Sequence, residues 1–298
     1  MTSGPLDPQV LAAITGLELR ARTIVDGHLA GLHRSPRKGF SVEFAEHREY
    51  APGDDLRYLD WKVYGKRDRY YLKQFEEETN LCCHLIVDAS ESMAYRSAGA
   101  ALSKWDYASC LAASLAWIIL KQQDAVGLVT VDDEIRQLLR PSGQATHLKQ
   151  ILASLEQTIP SRPSSLGTLL HQLAERLPRR GVVILISDLF DDLEAMMQGF
   201  KHLKFQGHDV AVLQVIDPAE VSFPFAEPTE FEGLEKSGLA AIDPRSIGDA
   251  YRAEFAEFLQ TVGIRTRDLQ IDHQLIETTT PPDRALLRFL THHRHAHH

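Results

Sequence analysis

The strongest constraint on the fold is a pair of apolar segments that each end in an aspartate. Residues 81–87 are mostly apolar on both faces and lead into Asp88, and residues 182–187 repeat this pattern before Asp188. Apolar segments of this length are typical of strands buried in a parallel sheet with helices on each side. Because strands and helices alternate between and after them, the sequence predicts an α/β protein with a doubly wound, mostly parallel sheet.

The remaining elements follow from the spacing of apolar residues. Residues 6–30 predict one helix or a bent pair that packs on the sheet domain, and residues 218–238 predict a long loop with a short strand near its tip. Residues 239–243 suggest an edge strand. Further strands are predicted at 127–132, 135–139 and 209–216, and further helices at 104–121, 146–158, 166–177, 191–205, 246–262 and 281–290.

Three short oxygen-bearing side chains alternate in the turn that follows the first apolar segment. They are Asp88, Ser90 and Ser92. In an open α/β sheet, ligands bind at the carboxyl ends of the strands, so these side chains are placed to converge on one point. Carboxylate and hydroxyl oxygens suit Mg²⁺ or Mn²⁺. An isolated Asp-x-Ser leaves a second interpretation open, in which Asp88 and Ser90 only cap the next helix.

Two later stretches complete a known pattern. Residues 164–170 form a Ser/Gly loop that leads into a helix, and the second apolar strand ends in an aspartate. Together with the Asp-x-Ser-x-Ser turn, they resemble the von Willebrand factor A fold and its metal-ion-dependent adhesion site. The resemblance implies a metal site formed by Asp88, Ser90, Ser92, Thr168 and Asp188.

The resemblance also implies separate roles for these ligands. The three hydroxyls would bind the cation directly, and Asp88 and Asp188 would act directly or through bound water. The chain departs from the usual pattern at two places. Leu166 stands where a first glycine often precedes the threonine, and Leu189 stands where a glycine often follows the aspartate.

Residues 39–78 form a second informative region, because they place several arginines and carboxylates around Trp61. Such a set is either a binding or catalytic surface or an arginine–carboxylate network that locks this subdomain onto the sheet, and the network is the commoner use. The spaced motif resembles the family catalogued as "domain of unknown function 58". Its residues are Arg48-Glu49-Tyr50, Pro52-Gly53-Asp54-Asp55, Arg57 and Asp60-Trp61-Lys62.

That resemblance implies a partner and a domain division. Members of this family are expected to associate with MoxR-type AAA+ ATPases and to help mature or remodel client proteins. The signature precedes a von Willebrand factor A-like domain, so we expect an N-terminal helical and signature region at 1–78 and the A-like domain with a C-terminal extension at 79–291. Residues 292–298 are a histidine-rich tail, predicted to be disordered and excluded from the site.

The composition restricts the class of partner and the compartment. The net charge of the 298 residues is −9, and the isoelectric point is near 5.9. A nucleic acid or an anionic membrane surface is therefore not expected as the main partner. The first residues lack the pattern of a signal peptide and no segment has the length of a membrane span, so we expect a cytoplasmic protein. Cys82, Cys83 and Cys110 are expected to be reduced core residues.

Common enzyme motifs are missing around the Asp88 turn. A phosphatase of the haloacid dehalogenase type needs a second aspartate at the position of Ser90, and neither a P-loop, a dinucleotide fingerprint nor a nucleophile elbow is present. Metal-dependent phosphoester hydrolysis stays open as the alternative function. It would need a base beside metal-bound water, for which Glu91, Glu49 and Asp133 are candidates.

The sequence thus favours a cytoplasmic protein–protein interaction module over an enzyme. We expect Mg²⁺ or Mn²⁺ as the cofactor and a MoxR-type AAA+ ATPase and a client protein as the partners. An acidic residue of the partner is expected to complete the metal site, as it does in the fold that this chain resembles.

Overall fold

The structure is a computed structural model, and its description covers most of the chain outside the family signature. The described residues are 7–32, 47–49, 71–73, 81–178, 180–225, 229–233, 238–242 and 244–295. Contacts divide the chain into two compact units. One contains Met1–Arg34 and Leu81–His298, and the other contains Ser35–Asn80.

The first unit alternates helices and strands along most of its length. Its helices are α1 (Pro8–Ala13), α2 (Leu17–Leu32), α3 (Lys104–Lys121), α4 (His147–Gln157), α5 (Leu166–Arg176), α6 (Leu193–Phe205), α7 (Pro218–Ser222), α8 (Pro244–Asp268) and α9 (Pro282–His295). The strands, numbered along the whole chain, are β1 (His47–Glu49), β2 (Tyr71–Lys73), β3 (Cys82–Asp88), β4 (Ala125–Val131), β5 (Ile135–Ser142), β6 (Gly181–Ser187), β7 (His208–Ile216), β8 (Thr229–Gly233), β9 (Gly238–Ile242) and β10 (Asp272–Glu277).

Six strands form the main sheet, in the order β10-β7-β6-β3-β4-β5. All neighbours are parallel except β4 and β5, which pair antiparallel as a hairpin. The two strands that end in aspartates, β3 and β6, are direct neighbours at the centre, with Val87 opposite Ile186. The predicted fold class, a doubly wound, mostly parallel α/β sheet, is confirmed.

Hydrophobic cores cover both faces of this sheet, because successive side chains of a strand point in opposite directions. On β3, Leu85 and Val87 pack in one core with residues of α1, α2, α3, α4 and α9. Ile86, between them, packs in the other core with residues of α5, α6 and α8. The N-terminal helices therefore belong to the sheet unit, as the sequence predicted for residues 6–30, whereas the division at residue 79 stays a prediction.

Several elements differ from the sequence prediction at the C-terminal end. β10 was not predicted, and it forms an edge of the main sheet beside β7. The strand predicted at 239–243 is instead half of a separate two-stranded hairpin with β8. The predicted loop at 218–238 begins with helix α7, and α9 runs through His295, so the prediction of disorder is wrong for His292–His295.

The second unit is described only at two short strands. β1 and β2 pair antiparallel, with Arg48 opposite Leu72. The remaining charged residues of the signature, including Arg57 and Asp60, lie outside the described residues, so the predicted arginine–carboxylate network stays a prediction. All three cysteines are described and are free thiols. In the part of the chain that the structure describes, no helix combines the length and the apolar composition needed to cross a membrane.

Candidate metal centre

The Asp88 turn is held in one conformation by hydrogen bonds to its own side chains. Ser90 donates its backbone N–H to Asp88 Oδ1 at 2.8 Å, and the hydroxyls of Ser90 and Ser92 lie 3.1 Å apart. Ser187, at the end of the neighbouring strand β6, donates its hydroxyl to Asp88 Oδ2 at 2.5 Å. Parallel pairing of β3 with β6 thus brings the Ser187 hydroxyl to a buried carboxylate, and the hydroxyls of Ser90 and Ser92 lie together in the turn that follows it. Asp88 is 1% exposed, Ser90 0% and Ser92 6%.

The capping interpretation does not describe this turn. Ser90 precedes a short 3₁₀ helix at Glu91–Ala94, but its side chain makes no capping hydrogen bond there. The turn is also fixed from outside, since Ala89 N–H donates to the Val131 carbonyl at 2.6 Å and Glu91 N–H donates to the Arg162 carbonyl at 2.7 Å. The serine hydroxyls are therefore left facing each other rather than closing a helix end.

The second predicted carboxylate, Asp188, is fully buried and already has a cationic partner. Lys104, the first residue of α3, donates from Nζ to Asp188 Oδ2 at 2.7 Å and to Glu220 Oε1 at 2.5 Å. Asp188 Oδ1 accepts the backbone N–H of Phe190 at 3.1 Å. Both carboxylate oxygens of Asp188 are thus engaged by the protein.

The residue after Asp188 adopts a backbone conformation that usually requires glycine. Leu189 has φ of 64°, in the left-handed region, and its side chain is fully buried. A leucine there costs about 1–2 kcal/mol relative to the right-handed region. Its N–H donates to Ser187 Oγ at 2.9 Å. The departure from the usual glycine therefore keeps the backbone geometry, with the strain offset by burial of the leucine.

Thr168 is the predicted ligand that the structure connects least to the others. It is the third residue of α5 and is exposed. Within the described residues, no hydrogen bond joins its side chain to Asp88, Ser90, Ser92 or Asp188. The loop before it is fixed by Asp191, whose Oδ2 accepts from Ser164 Oγ at 3.1 Å and from the N–H of Leu166.

Within the described residues, the ion pairs of the site leave the Asp88 carboxylate without a cationic partner. Burial, and after it the negative charge of Asp188, raise the pKa of Asp88 from 3.8 to about 7. Burial lowers the pKa of Lys104, but the charges of Asp188 and Glu220 outweigh this, and its pKa lies above the usual value. Lys104 is therefore an ammonium ion paired with two carboxylates, whereas the charge of Asp88 is opposed by a carboxylate neighbour.

These residues fit a hard divalent cation beside Asp88, and they fit it less well beside Asp188. Each oxygen of Asp88 accepts one hydrogen bond, and an ionised carboxylate has about four acceptor directions, so it has capacity left for a cation or its bound water. The described residues contain no group of three or more His, Cys, Asp or Glu side chains placed to hold a metal ion. A cation here would depend on the hydroxyls of Ser90 and Ser92.

Sequence reasoning missed three participants, namely Lys104, Ser187 and Glu220. Glu220 had a local signal, because Asp217-Pro218 begins a capping box in which Glu220 Oε2 accepts the N–H of Asp217 at 2.7 Å. The sequence signal for Lys104 was weaker. A cation in the first turn of a helix is disfavoured by the helix dipole, which suggests that a carboxylate elsewhere in the fold pairs with it.

The fold and the site together define the class of protein. A doubly wound sheet with an Asp-x-Ser-x-Ser turn after one central strand and an aspartate after its neighbour is a von Willebrand factor A-like domain. The model of the family described as protein of unknown function DUF58 matches residues 46–262. The chain belongs to this family, which confirms the family predicted from the sequence.

Several proteins resemble this chain at low sequence identity. Uncharacterized proteins of Mycobacterium bovis and Mycobacterium tuberculosis are 26% identical over 279 residues, which cover 89% of this chain and 86% of each relative. Among solved structures, the conserved hypothetical protein BatB from Bacteroides thetaiotaomicron has a TM-score of 0.47 at 15% identity, covering 72% of this chain and 99% of that one. The SpRpn10 VWA domain has a TM-score of 0.38 at 12% identity, covering 72% and 95%.

Proposed function

We propose that this chain is a protein–protein interaction module whose partner binding depends on Mg²⁺ or Mn²⁺ at the Asp88 turn. Its partner in this proposal is a MoxR-type AAA+ ATPase, for which it acts as an adaptor in the maturation or remodelling of client proteins. The von Willebrand factor A-like fold and membership of the DUF58 family support the interaction role. The observation that carries the proposal is the buried Asp88 carboxylate, which accepts hydrogen bonds from the Ser187 hydroxyl and the Ser90 N–H and has no cationic hydrogen-bond partner among the described residues. The hydroxyls of Ser90 and Ser92 face each other in the turn that follows it.

Each residue has a separate task in this proposal. Ser90 and Ser92 supply neutral oxygens, and Asp88 supplies the charge that selects a cation. Ser187 and the Ser90 N–H orient the Asp88 carboxylate. A bound divalent cation would supply an open coordination position that prefers an anionic oxygen. Because few of its ligands are charged, the cation would remain under-neutralised until a carboxylate of the partner arrives.

The partner must approach from the exposed side of the site. Of the five proposed ligands, Asp88, Ser90, Ser92 and Asp188 are buried, and Thr168 is exposed. A partner carboxylate would therefore reach the cation past the first turn of α5. Thr168 then acts at the entrance, where it can hydrogen-bond the incoming carboxylate or bind the cation when the partner is present.

The test combines removal of the metal with removal of Asp88. Chelation and Asp88→Ala should each weaken binding to the purified ATPase by the same factor, and the two together should add little, because both remove one interaction. Equal affinity with and without chelator, on protein shown to be folded and metal-free, contradicts the proposal. Asp249→Ala, an exposed aspartate on α8, serves as the control and should bind like the parent.

The alternative function, metal-dependent phosphoester hydrolysis, is tested with the same proteins. Of its candidate bases, Asp133 lies on the surface and pairs with Arg162 Nη1 at 3.2 Å. Turnover of a generic phosphoester with Mg²⁺ or Mn²⁺ that disappears in Asp88→Ala would replace the interaction role by an enzymatic one.

A further inference from the structure

The structure contains a buried ammonium beside the proposed metal ligands that the proposed function leaves unexplained. Lys104 begins α3, and its side chain is 0% exposed. Lysine is almost never fully buried unless it is paired. This position is also unfavourable for a cation, because the first turn of a helix carries partial positive charge.

Three side chains close around the Lys104 ammonium. Asp188 follows β6, Glu220 lies in α7, and their carboxylate oxygens are 2.7 and 2.5 Å from Nζ. The ring of Phe190 lies over the same nitrogen, 4.7 Å from it to the ring centroid. Glu220 is itself held in position by the capping box of α7, so its carboxylate is oriented independently of the ammonium.

The ion pair of Lys104 with Asp188 bears on the proposed cation site, because Asp188 is one of its proposed ligands. Ser187, the residue before Asp188, donates its hydroxyl to Asp88 Oδ2 at 2.5 Å, so the two aspartates end neighbouring strands that are joined by this hydrogen bond. The Lys104 ammonium occupies one oxygen of Asp188, the carboxylate that the fold resemblance assigns to the metal or to its bound water. It also places a positive charge on the carboxylate that ends the strand next to Asp88, and a second cation drawn to Asp188 would be repelled by it.

We infer that Lys104 is a built-in competitor that keeps the divalent-cation affinity of the Asp88 turn low. This inference rests on the proposed cation site and adds its regulation. The cation has to draw Asp188 away from the ammonium, which lowers its affinity, so it depends on Asp88 and on the carboxylate of the partner for the rest of its neutralisation. Metal binding and partner binding then require each other, and the free protein holds the cation weakly.

The test measures Mn²⁺ affinity on the full chain by the electron paramagnetic resonance signal of free Mn²⁺. The informative variant is Lys104→Met combined with Glu220→Gln, which removes one buried charge of each sign and so limits the stability loss. Lys121→Met removes the same charge from the exposed end of the same helix and is the matched control. Asp88→Asn supplies the background, including Mn²⁺ bound by the histidine-rich end.

The double variant should bind Mn²⁺ at least tenfold more tightly than the parent, and Lys121→Met should stay within twofold of it. A purely structural role of Lys104 would leave the affinity unchanged or reduce it. If the parent binds Mn²⁺ above the Asp88→Asn background and the folded double variant binds it no more tightly than the parent, the competing role of Lys104 is wrong. The proposed cation site survives that result. If neither the parent nor the double variant exceeds that background, the cation site itself is wrong, and this inference fails with it.

A second measurement requires no substitution at Lys104 and decides the question if the double variant does not fold. In the parent chain with ¹⁵N-labelled lysine, the Lys104 ammonium signal is identified by its contact with the Phe190 ring. Saturating Mg²⁺ should shift this signal and speed its hydrogen exchange, because the cation draws Asp188 away from Nζ. An unchanged signal at a Mg²⁺ concentration that saturates the site overturns the inference.

Discussion

Replacing Asp88 with asparagine should stabilise the metal-free protein at pH 8, although it removes a hydrogen-bonded residue from the interior. Burial and the negative charge of the neighbouring Asp188 raise the pKa of Asp88 from 3.8 to about 7. At pH 8 the Asp88 side chain is therefore ionised in a buried position that favours its neutral acid form. Each pKa unit corresponds to about 1.4 kcal/mol, which gives an upper limit of about 4 kcal/mol for the gain.

The direction of the pH dependence follows from linkage. Because the folded pKa of Asp88 lies above the unfolded one, folding takes up a proton between them, and the parent loses stability as the pH rises from about 4 to about 7. The free energy of unfolding of Asp88→Asn, relative to that of the parent, should therefore increase from pH about 4 to about 7 and be near its minimum below pH about 4.

Urea unfolding in chelator at several pH values measures this difference, and Asp249→Asn, which is fully exposed, should change stability by less than about 0.5 kcal/mol. Adding Mg²⁺ provides the second half of the test. It should stabilise the parent, by about 2.7 kcal/mol at a concentration of one hundred times Kd, and should not stabilise Asp88→Asn. A variant that is less stable than the parent at pH 8 in chelator, or that gains as much from Mg²⁺, would refute the reasoning.

Three further predictions follow from the contacts around the site. In a chain ending at Thr291, calorimetry should show Mg²⁺ or Mn²⁺ bound in preference to Zn²⁺, because the ligands are oxygens; far tighter Zn²⁺ binding at Asp88 would contradict this. Gly167→Ala should lower the free energy of unfolding, measured in urea, by about 1–3 kcal/mol, because the added Cβ would lie 2.6 Å from the Cβ of Ala195. Gly143→Ala is the control and should unfold like the parent, because its added Cβ would meet no atom closer than 3.6 Å. Lys104→Met alone should lower the free energy of unfolding by about 3–5 kcal/mol, because two carboxylates lose their cationic partner, and a parent-like melting curve would contradict this.

The sequence predicted the parts of the fold that depend on long apolar patterns. β3, β6 and β7 are buried almost throughout, so their composition alone identifies central strands. β10 was missed because it is an edge strand in which only Ile276 is buried, so its apolar signal is weak. The hairpin of β8 and β9 was misassigned because a short strand pattern does not specify which strand it pairs with.

The candidate site shows a similar limit. The Asp-x-Ser-x-Ser turn is local, and the structure brings Asp88, Ser90 and Ser92 together as the pattern indicated. The ion pairs of Lys104 with Asp188 and Glu220 join residues 84 and 116 positions apart, and no local pattern specifies such contacts. A lysine beside a proposed metal ligand can be recognised only once the chain is folded.

Metal binding at the Asp88 turn is tested by an anomalous diffraction map from crystals of the full chain grown with saturating Mn²⁺. We expect a peak within bonding distance of the Ser90 and Ser92 hydroxyls, on the side of the Asp88 carboxylate, and no such peak in crystals of Asp88→Asn. Mn²⁺ found only at the histidine-rich end, or a peak at the turn that persists in Asp88→Asn, would contradict it.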